Sequence, residues 1–356
     1  MSERSFFALT YPEAQGLFGE LGLPRFVAEQ VFQWIYRKGR PAADDWRNVA
    51  RASRKILAEH LDFTLPRLES ALDGRTEAGK AVLSLADGQR VESVLLREKD
   101  HYTFCLSSQV GCPLGCRFCR TGQMGWRRDL TTAEIVGQAV RLKEALPPTY
   151  QGRINVVFMG MGEPLLNYEA VKGALGVLMD PAGFAISPRH ITVSTAGITP
   201  GLARLETDFP RLRLAVSLNA PDASLRSELM PVTRAYPLPA LLHALASRRR
   251  AHPVTFEYVL LGGVNDSPGH SRRLARLVGR IPCKINLIPF NPVPNVPYAA
   301  PPEARVAAFA EELVAAGLTA VIRWSKGRTH GAACGQLAGE SARAGGGVCN
   351  AGGDIV

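Results

Sequence analysis

From residue 102 onward the apolar positions fall into a repeat. Short apolar runs, "YTFCLS", "RINVVFMG", "HITVSTAG", "LRLAVSLNA", "VTFEYVLLGG", "CKINLIPFN" and "LTAVIRW", alternate with longer stretches. Several of these stretches, at 132–145, 168–179, 237–251, 269–280 and 303–316, are amphipathic at helical spacing. The short runs predict strands and the amphipathic stretches predict helices. Strand and helix in alternation imply parallel strands with helical crossovers. Six or seven such units predict an α/β chain with a partial (βα)6-type barrel over residues 101–338; a doubly wound open sheet is the alternative.

Upstream the pattern changes. "LPRFVAEQVFQWIYRKG" puts Phe26, Val27, Val31, Phe32, Ile35 and Tyr36 on one helical face, with Gly39 as a stop. "DDWRNVARASRKILAEHL" repeats the helical pattern through Trp46, Val49, Ile56 and Leu57. Arg37, Lys38, Arg51, Arg54 and Lys55 fall on the solvent side. Residues 1–62 thus read as a small basic helical domain, its basic face either simply solvated or in contact with RNA. In the linker over 63–100, "KAVLSLA" and "RVESVLLRE" are joined by Asp87-Gly88, which predicts a β-hairpin extension. The Gly- and Ala-rich tail, 339–356, is expected to be disordered, with Cys349 incidental.

Composition narrows the function. The 356 residues are 46% hydrophobic, enough for a large core. No apolar run reaches membrane-spanning length and no signal peptide is legible, so a cytoplasmic location is expected. Forty-two Lys and Arg against 32 Asp and Glu give a net charge of +10, which favours a polyanionic partner, nucleic acid first. Seven cysteines, odd in number and unevenly placed, argue for metal or catalytic thiols over a disulfide framework.

Four of the seven cysteines lie in "CLSSQVGCPLGCRFCRTG". Cys112, Cys116 and Cys119 form C-x3-C-x2-C directly after the first barrel strand. Such thiolates can hold zinc with a distant fourth ligand or an iron–sulfur cluster. Zinc usually takes paired knuckles, and no second knuckle is present. A four-iron cluster on three thiolates leaves one iron open to the amino and carboxylate groups of S-adenosylmethionine, which predicts radical chemistry. A zinc-stabilised RNA-binding protein and a small electron-transfer protein are the competing readings; the latter leaves a full barrel and a remote Cys334 unexplained.

Barrel chemistry gathers at the C-terminal strand ends. Here those ends carry "GMGEP" (160–164), Ser194, Thr195, Ser217, Asn219, "GGVND" (262–266), Asn291 and the Cys334 loop. "GMGEP" lacks the third glycine of a dinucleotide loop and reads as a close approach to a ligand with Glu163 as acceptor. "GGVND" reads as turn chemistry, and Cys283 as a small buried hydrophobe.

The chain resembles, over nearly its whole length, the radical S-adenosylmethionine methyltransferases that modify an adenine of large-subunit ribosomal RNA. The matching pieces are "DGQRVESVLL", "CLSSQVGCPLGCRFC", "FMGMGEPLLNY", "ITVSTAGITPG", "LAVSLNAP", "LMPV", "NLIPFNP" and "AACGQLAG". Within the family it is most similar to the enzymes that methylate C2, in 23S rRNA at the peptidyl-transferase centre and in tRNA beside the anticodon. The sister enzyme, which methylates C8 and confers antibiotic resistance, is the alternative. The resemblance implies a 4Fe-4S cluster on Cys112, Cys116 and Cys119. It implies S-adenosylmethionine contacts from Gly162, Glu163, Ser194, Ser217, Leu218, Asn219 and Asn291. It also implies Cys334 as the methylated cysteine, Cys105 as its disulfide-forming resolver and Glu92 as the base. Two S-adenosylmethionine molecules per turnover, an electron donor such as flavodoxin and a monomeric enzyme go with it. One departure is "SKGRTHG", where Arg328 and His330 stand in place of an acidic pair. Arg120, Arg127 and Arg128, beside the cysteines, are either RNA-facing or solvated.

Overall fold

In the computed structural model, residues 4–69, 72–247, 250–326, 333 and 335–337 are described. Cys334, Arg328, His330, Cys349 and the 339–356 tail lie outside the described residues. A parallel pair, β1 (Arg4–Ser5) and β2 (Leu61–Asp62), fastens the two ends of an N-terminal helical unit. That unit contains α1 (Tyr11–Glu20), α2 (Phe26–Phe32) and α3 (Arg51–His60). Thr10 and Glu13 form a capping box at the start of α1. The unit packs around Phe6, Phe18, Phe32 and Tyr36, and Tyr36 meets Phe184 of the barrel at 5.1 Å between ring centroids.

Two expectations fail here. Phe26 is 59% exposed and does not join the buried face. The helix expected from Asp44 onward breaks into a turn at Ala43–Asp45 and then α3, leaving Trp46 and Val49 buried in the connecting loop. Trp46 is fixed there by its indole N–H, which donates to the Arg40 carbonyl at 3.0 Å. That bond and its burial outweigh the periodicity.

Among the described residues the main sheet has ten strands. At one edge β3 (Arg67–Leu68), β4 (Ala78–Ser84) and β5 (Arg90–Arg97) run antiparallel, with the expected Asp87-Gly88 turn joining β4 to β5. The parallel strands follow, in the order β6 (His101–Cys105), β9 (Arg153–Phe158), β10 (Ile191–Thr195), β11 (Arg213–Ser217), β12 (Val254–Leu260), β13 (Cys283–Pro289) and β14 (Thr319–Ile322). Crossover helices include α5 (Thr132–Glu144), α6 (Tyr168–Met179), α7 (Thr199–Asp208), α9 (Leu238–Ala246), α10 (Pro268–Val278) and α11 (Glu303–Ala315). Two short helices, α4 (Arg120–Gln123) and α8 (Ala223–Leu229), sit at the C-terminal rim. The partial barrel is thus as expected. A clasp links its two edges: Lys326, after β14, donates to Glu98 at 2.8 Å and to the Arg97 carbonyl at 3.0 Å.

A two-stranded clip absent from the sequence reading, β7 (Gln109–Gly111) with β8 (Trp126–Asp129), brackets the three-cysteine loop. Gly111 has φ +79°, and a Cβ there would meet the Gly125 carbonyl oxygen at 1.9 Å. Gly111→Ala is therefore expected to cost about 1–3 kcal/mol or more. A thermal-denaturation midpoint equal to the wild-type value would contradict this. Arg128, on β8, does not face solvent as a free cation. It pairs with Asp87 at 2.7 Å and bidentately with Glu134 at 2.8 Å, locking the hairpin turn to the start of α5.

Candidate active site

The C-terminal strand ends open into one cavity of ≈ 630 Å³. Cys105, at the end of β6, lines it, as do Cys112, Cys116 and Cys119 from the loop within the clip. So do Gly162, Glu163, Ser194, Ser217, Asn219 and Asn291. Ala333 and Gly335, the neighbours of Cys334 in sequence, line it too. Two expected residues stand apart. Leu218 is fully buried outside the lining, its N–H donating to the Glu257 carbonyl at 3.0 Å. Glu92 is also outside the lining, one inward-facing position before Val94, which does line it and pairs in register with Cys105.

The cysteine loop is held by its backbone. The Cys112 N–H donates to Gly125 at 2.9 Å, Arg117 to Leu229 at 3.0 Å, and Arg120 to Gly335 at 2.9 Å. Burial pushes the Cys112 thiol up to about 12, with Cys119 and Glu163 adding to the rise. Cys116 is pushed well above its ordinary value, first by burial and then by its two cysteine neighbours; burial raises Cys119 as well. Three thiols buried this close together can all be thiolates only beside strong positive charge, which iron supplies. Among the described residues, no three His, Cys, Asp or Glu side chains are set to hold a metal ion. Three thiols facing a shared cavity instead fit an extended cluster.

Around them the polar groups are fixed by the loops. Gly162, at φ +100°, passes so close to Gln109 that a Cβ would lie 2.6 Å from its side chain. The Gln109 amide oxygen accepts from the Glu163 N–H at 2.8 Å. The Glu163 carboxylate then accepts from Ala196 N–H at 2.7 Å and Leu165 N–H at 3.1 Å. Burial nevertheless raises this carboxyl to about 7. Asn219 is left-handed, at φ +58°, and its side-chain oxygen accepts from Val259 N–H at 2.8 Å. Asn265 of "GGVND" donates to the Asn219 carbonyl at 2.8 Å, so that motif braces the site, as turn chemistry would.

Glu92 is not solvent-facing as an alternating strand would place it. It is 0% exposed and pairs with Lys80 at 3.2 Å. Its carbonyl accepts from the Ser107 hydroxyl at 2.6 Å. The sequence reading also missed Glu257. One register row runs Ser217, Glu257, Asn286, Val321 across four strands. Glu257 lines the cavity, accepts from the Asn286 amide at 2.9 Å, and is raised by burial. Cys283 fits an inert role: burial pushes its thiol up to about 11.

The Radical SAM superfamily profile matches residues 106–275, and a ribosomal RNA large subunit methyltransferase N-terminal domain matches residues 6–62. The dual-specificity RNA methyltransferase RlmN of an Anaeromyxobacter species is 46% identical over 94% of this chain and 90% of its own length. The protein of the same description from Halorhodospira halophila is 43% identical, covering 93% of this chain and 92% of its own. This chain belongs to the dual-specificity RNA methyltransferase family. A crystal structure of a radical SAM methyltransferase from Sphaerobacter thermophilus superposes with a TM-score of 0.89 at 39% identity, covering 95% of this chain and all of that one. As a member, the protein is a radical S-adenosylmethionine RNA methyltransferase whose cofactors are a 4Fe-4S cluster and S-adenosylmethionine.

Proposed function

We propose that this dual-specificity methyltransferase modifies C2 of an adenine in 23S ribosomal RNA and C2 of an adenine in transfer RNA, through an S-methylated Cys334. The observation that carries the reading is the shared cavity: Cys105 and the three-cysteine loop line the same space as Ala333 and Gly335 on either side of Cys334. C2 of adenine is electron-poor and has no acidic proton, so polar methyl transfer has no route to it. Cys112, Cys116 and Cys119 hold the cluster, and Gly162, Glu163, Ser194, the 217–219 segment and Asn291 hold S-adenosylmethionine. When bound and reduced, this pair supplies a 5′-deoxyadenosyl radical.

The protein's own residues carry the rest. The Cys334 thiolate displaces the methyl group of one S-adenosylmethionine, forming an S–CH3 bond as the sulfonium C–S bond breaks and S-adenosylhomocysteine leaves. Loss of one hydrogen atom from that S-methyl group leaves a carbon radical, which adds to C2 and joins protein to RNA. One electron then passes from the adduct to the external electron-transfer partner, and the C2 proton passes to Glu92, which stands behind the cavity wall two residues before Val94. The Cys105 thiolate attacks the Cys334 sulfur. A sulfur–sulfur bond forms, the carbon–sulfur bond breaks with its pair on carbon, and protonation of that carbon completes the methyl group. External reduction of the disulfide resets the enzyme, and a donor such as flavodoxin supplies electrons to the cluster. The enzyme acts as a cytoplasmic monomer; no helix among the described residues is long and apolar enough to cross a membrane. In digested RNA the product is 2-methyladenosine, which nucleoside mass spectrometry reads directly.

Two further outcomes follow. Residues 1–62 dock RNA: Lys38, Arg51 and Lys55 are exposed there, and the whole chain carries +10. RNA affinity should fall steeply with salt as phosphate contacts release counterions. A Kd flat between 50 and 200 mM salt (about the range over which this effect spans orders of magnitude) contradicts the docking role. Glu163, raised to about 7 by burial, is neutral below that pH and anionic above it. A cationic ligand prefers the anion, so S-adenosylmethionine affinity should rise as pH rises through about 7. Calorimetry on Glu163→Gln should show that dependence gone; an unchanged pH profile contradicts the contact.

A further inference from the structure

Arg226, on α8, is a buried cation with no anionic hydrogen-bond partner. It is 0% exposed. Its Nε donates to the Leu218 carbonyl at 3.2 Å and its Nη1 to the Thr233 hydroxyl at 2.7 Å. Its Nη2 donates to the Ala196 carbonyl at 2.6 Å and the Ser217 carbonyl at 3.1 Å. Every one of these acceptors is neutral, and among the described residues no carboxylate pairs with it. A guanidinium does not shed its proton in a protein, so the charge stays. A lone buried charge is costly unless something compensates it.

The compensation lies next door. The last residue of α8, Leu229, accepts from the N–H of Arg117, the residue after Cys116. The Arg226 guanidinium and the Cys116 thiol lie within electrostatic reach of each other. Arg226 is absent from the cavity lining, so it stands behind the wall and not against the ligand. Three thiolates give a four-iron cluster a net negative charge, and accepting an electron makes it more negative.

We propose that Arg226 is the built-in counter-charge of the cluster, favouring the reduced form and so raising its reduction potential. It acts as a positioning residue too, since the same guanidinium ties the ends of β10 and β11 at Ala196, Ser217 and Leu218. Net charge near a cluster is one of the quantities that sets its potential. The inference rests on the assignment of the cluster to Cys112, Cys116 and Cys119.

The test is a potentiometric titration of the anaerobically loaded enzyme, with the reduced cluster followed by electron paramagnetic resonance. Wild type is compared with Arg226→Lys and Arg226→Met, and iron content is measured for each. The expected result is a more negative midpoint for Arg226→Met and a midpoint near wild type for Arg226→Lys. Should Arg226→Met fail to retain iron, retention by Arg226→Lys supports the charge role. A fully loaded Arg226→Met with the wild-type midpoint overturns the inference. Equal loss of iron from both variants overturns it as well, because charge would then not be what matters. If wild type itself takes up no cluster, the cysteine assignment fails and the inference falls with it.

Discussion

Cys105→Ala is expected to leave RNA covalently attached to the protein, whereas Cys334→Ala forms no attachment and no product. The difference follows from the order of bonds. On the proposed route the adduct forms at the carbon carried by Cys334, and its release requires an incoming thiolate at the Cys334 sulfur. Cys105 ends β6, is buried, and faces the cavity that the three-cysteine loop, Ala333 and Gly335 also line. The other cysteine on a barrel strand, Cys283, is at the opposite, N-terminal end of β13 and does not line the cavity. Removing the Cys105 thiol therefore blocks only the last step. Turnover of Cys105→Ala should drop to background, with RNA migrating with the protein on a denaturing gel. Cys334→Ala should show free, unmodified RNA. Equal attachment in both variants, or free methylated RNA from Cys105→Ala at the wild-type rate, contradicts the two roles.

Replacing any one of Cys112, Cys116 and Cys119 by Ala is expected to abolish iron retention and methylation together. In the proposed assignment each thiolate is one of three protein ligands, so losing any one leaves the cluster with only two. The fold should survive these changes. The loop is pinned by backbone bonds from Cys112, Arg117 and Arg120 and by the β7–β8 clip, none of which uses a thiol. Circular dichroism should accordingly match wild type while iron and sulfide analysis falls to background. A triple Ala variant that keeps iron and sulfide contradicts the assignment.

Much of this architecture is legible in the sequence, for a physical reason. Parallel strands packed beneath crossover helices read as short apolar runs, and the seven among the described residues occur where such runs stand, the half-exposed edge strand β14 included. The clip is not legible. "WRRD" carries no strand pattern, and its pairing with Gln109–Gly111 is imposed by the loop it closes. Cys112, Cys116, Cys119 and the rim residues converge because barrel loops share one end. Glu92 misleads because alternation marks a carboxylate as outward, whereas this face of β5 is covered and holds Lys80 beside it. Glu257 and Arg226 go unnoticed for a related reason. Their positions depend on inter-strand register and on where α8 docks, and neither is written in local periodicity.

The proposed reaction is the transfer of a methyl group to C2 of adenine in RNA. The direct measurement incubates the reconstituted, reduced enzyme with S-adenosylmethionine carrying a deuterated methyl group and with unmodified 23S ribosomal or transfer RNA, followed by nucleoside mass spectrometry. The expected product is 2-methyladenosine carrying two deuterium atoms, since one deuterium atom is removed from the S-methyl group and a proton is added when the carbon–sulfur bond breaks. Labelled 8-methyladenosine alone, or a methyl group that arrives with all of its deuterium, would contradict it.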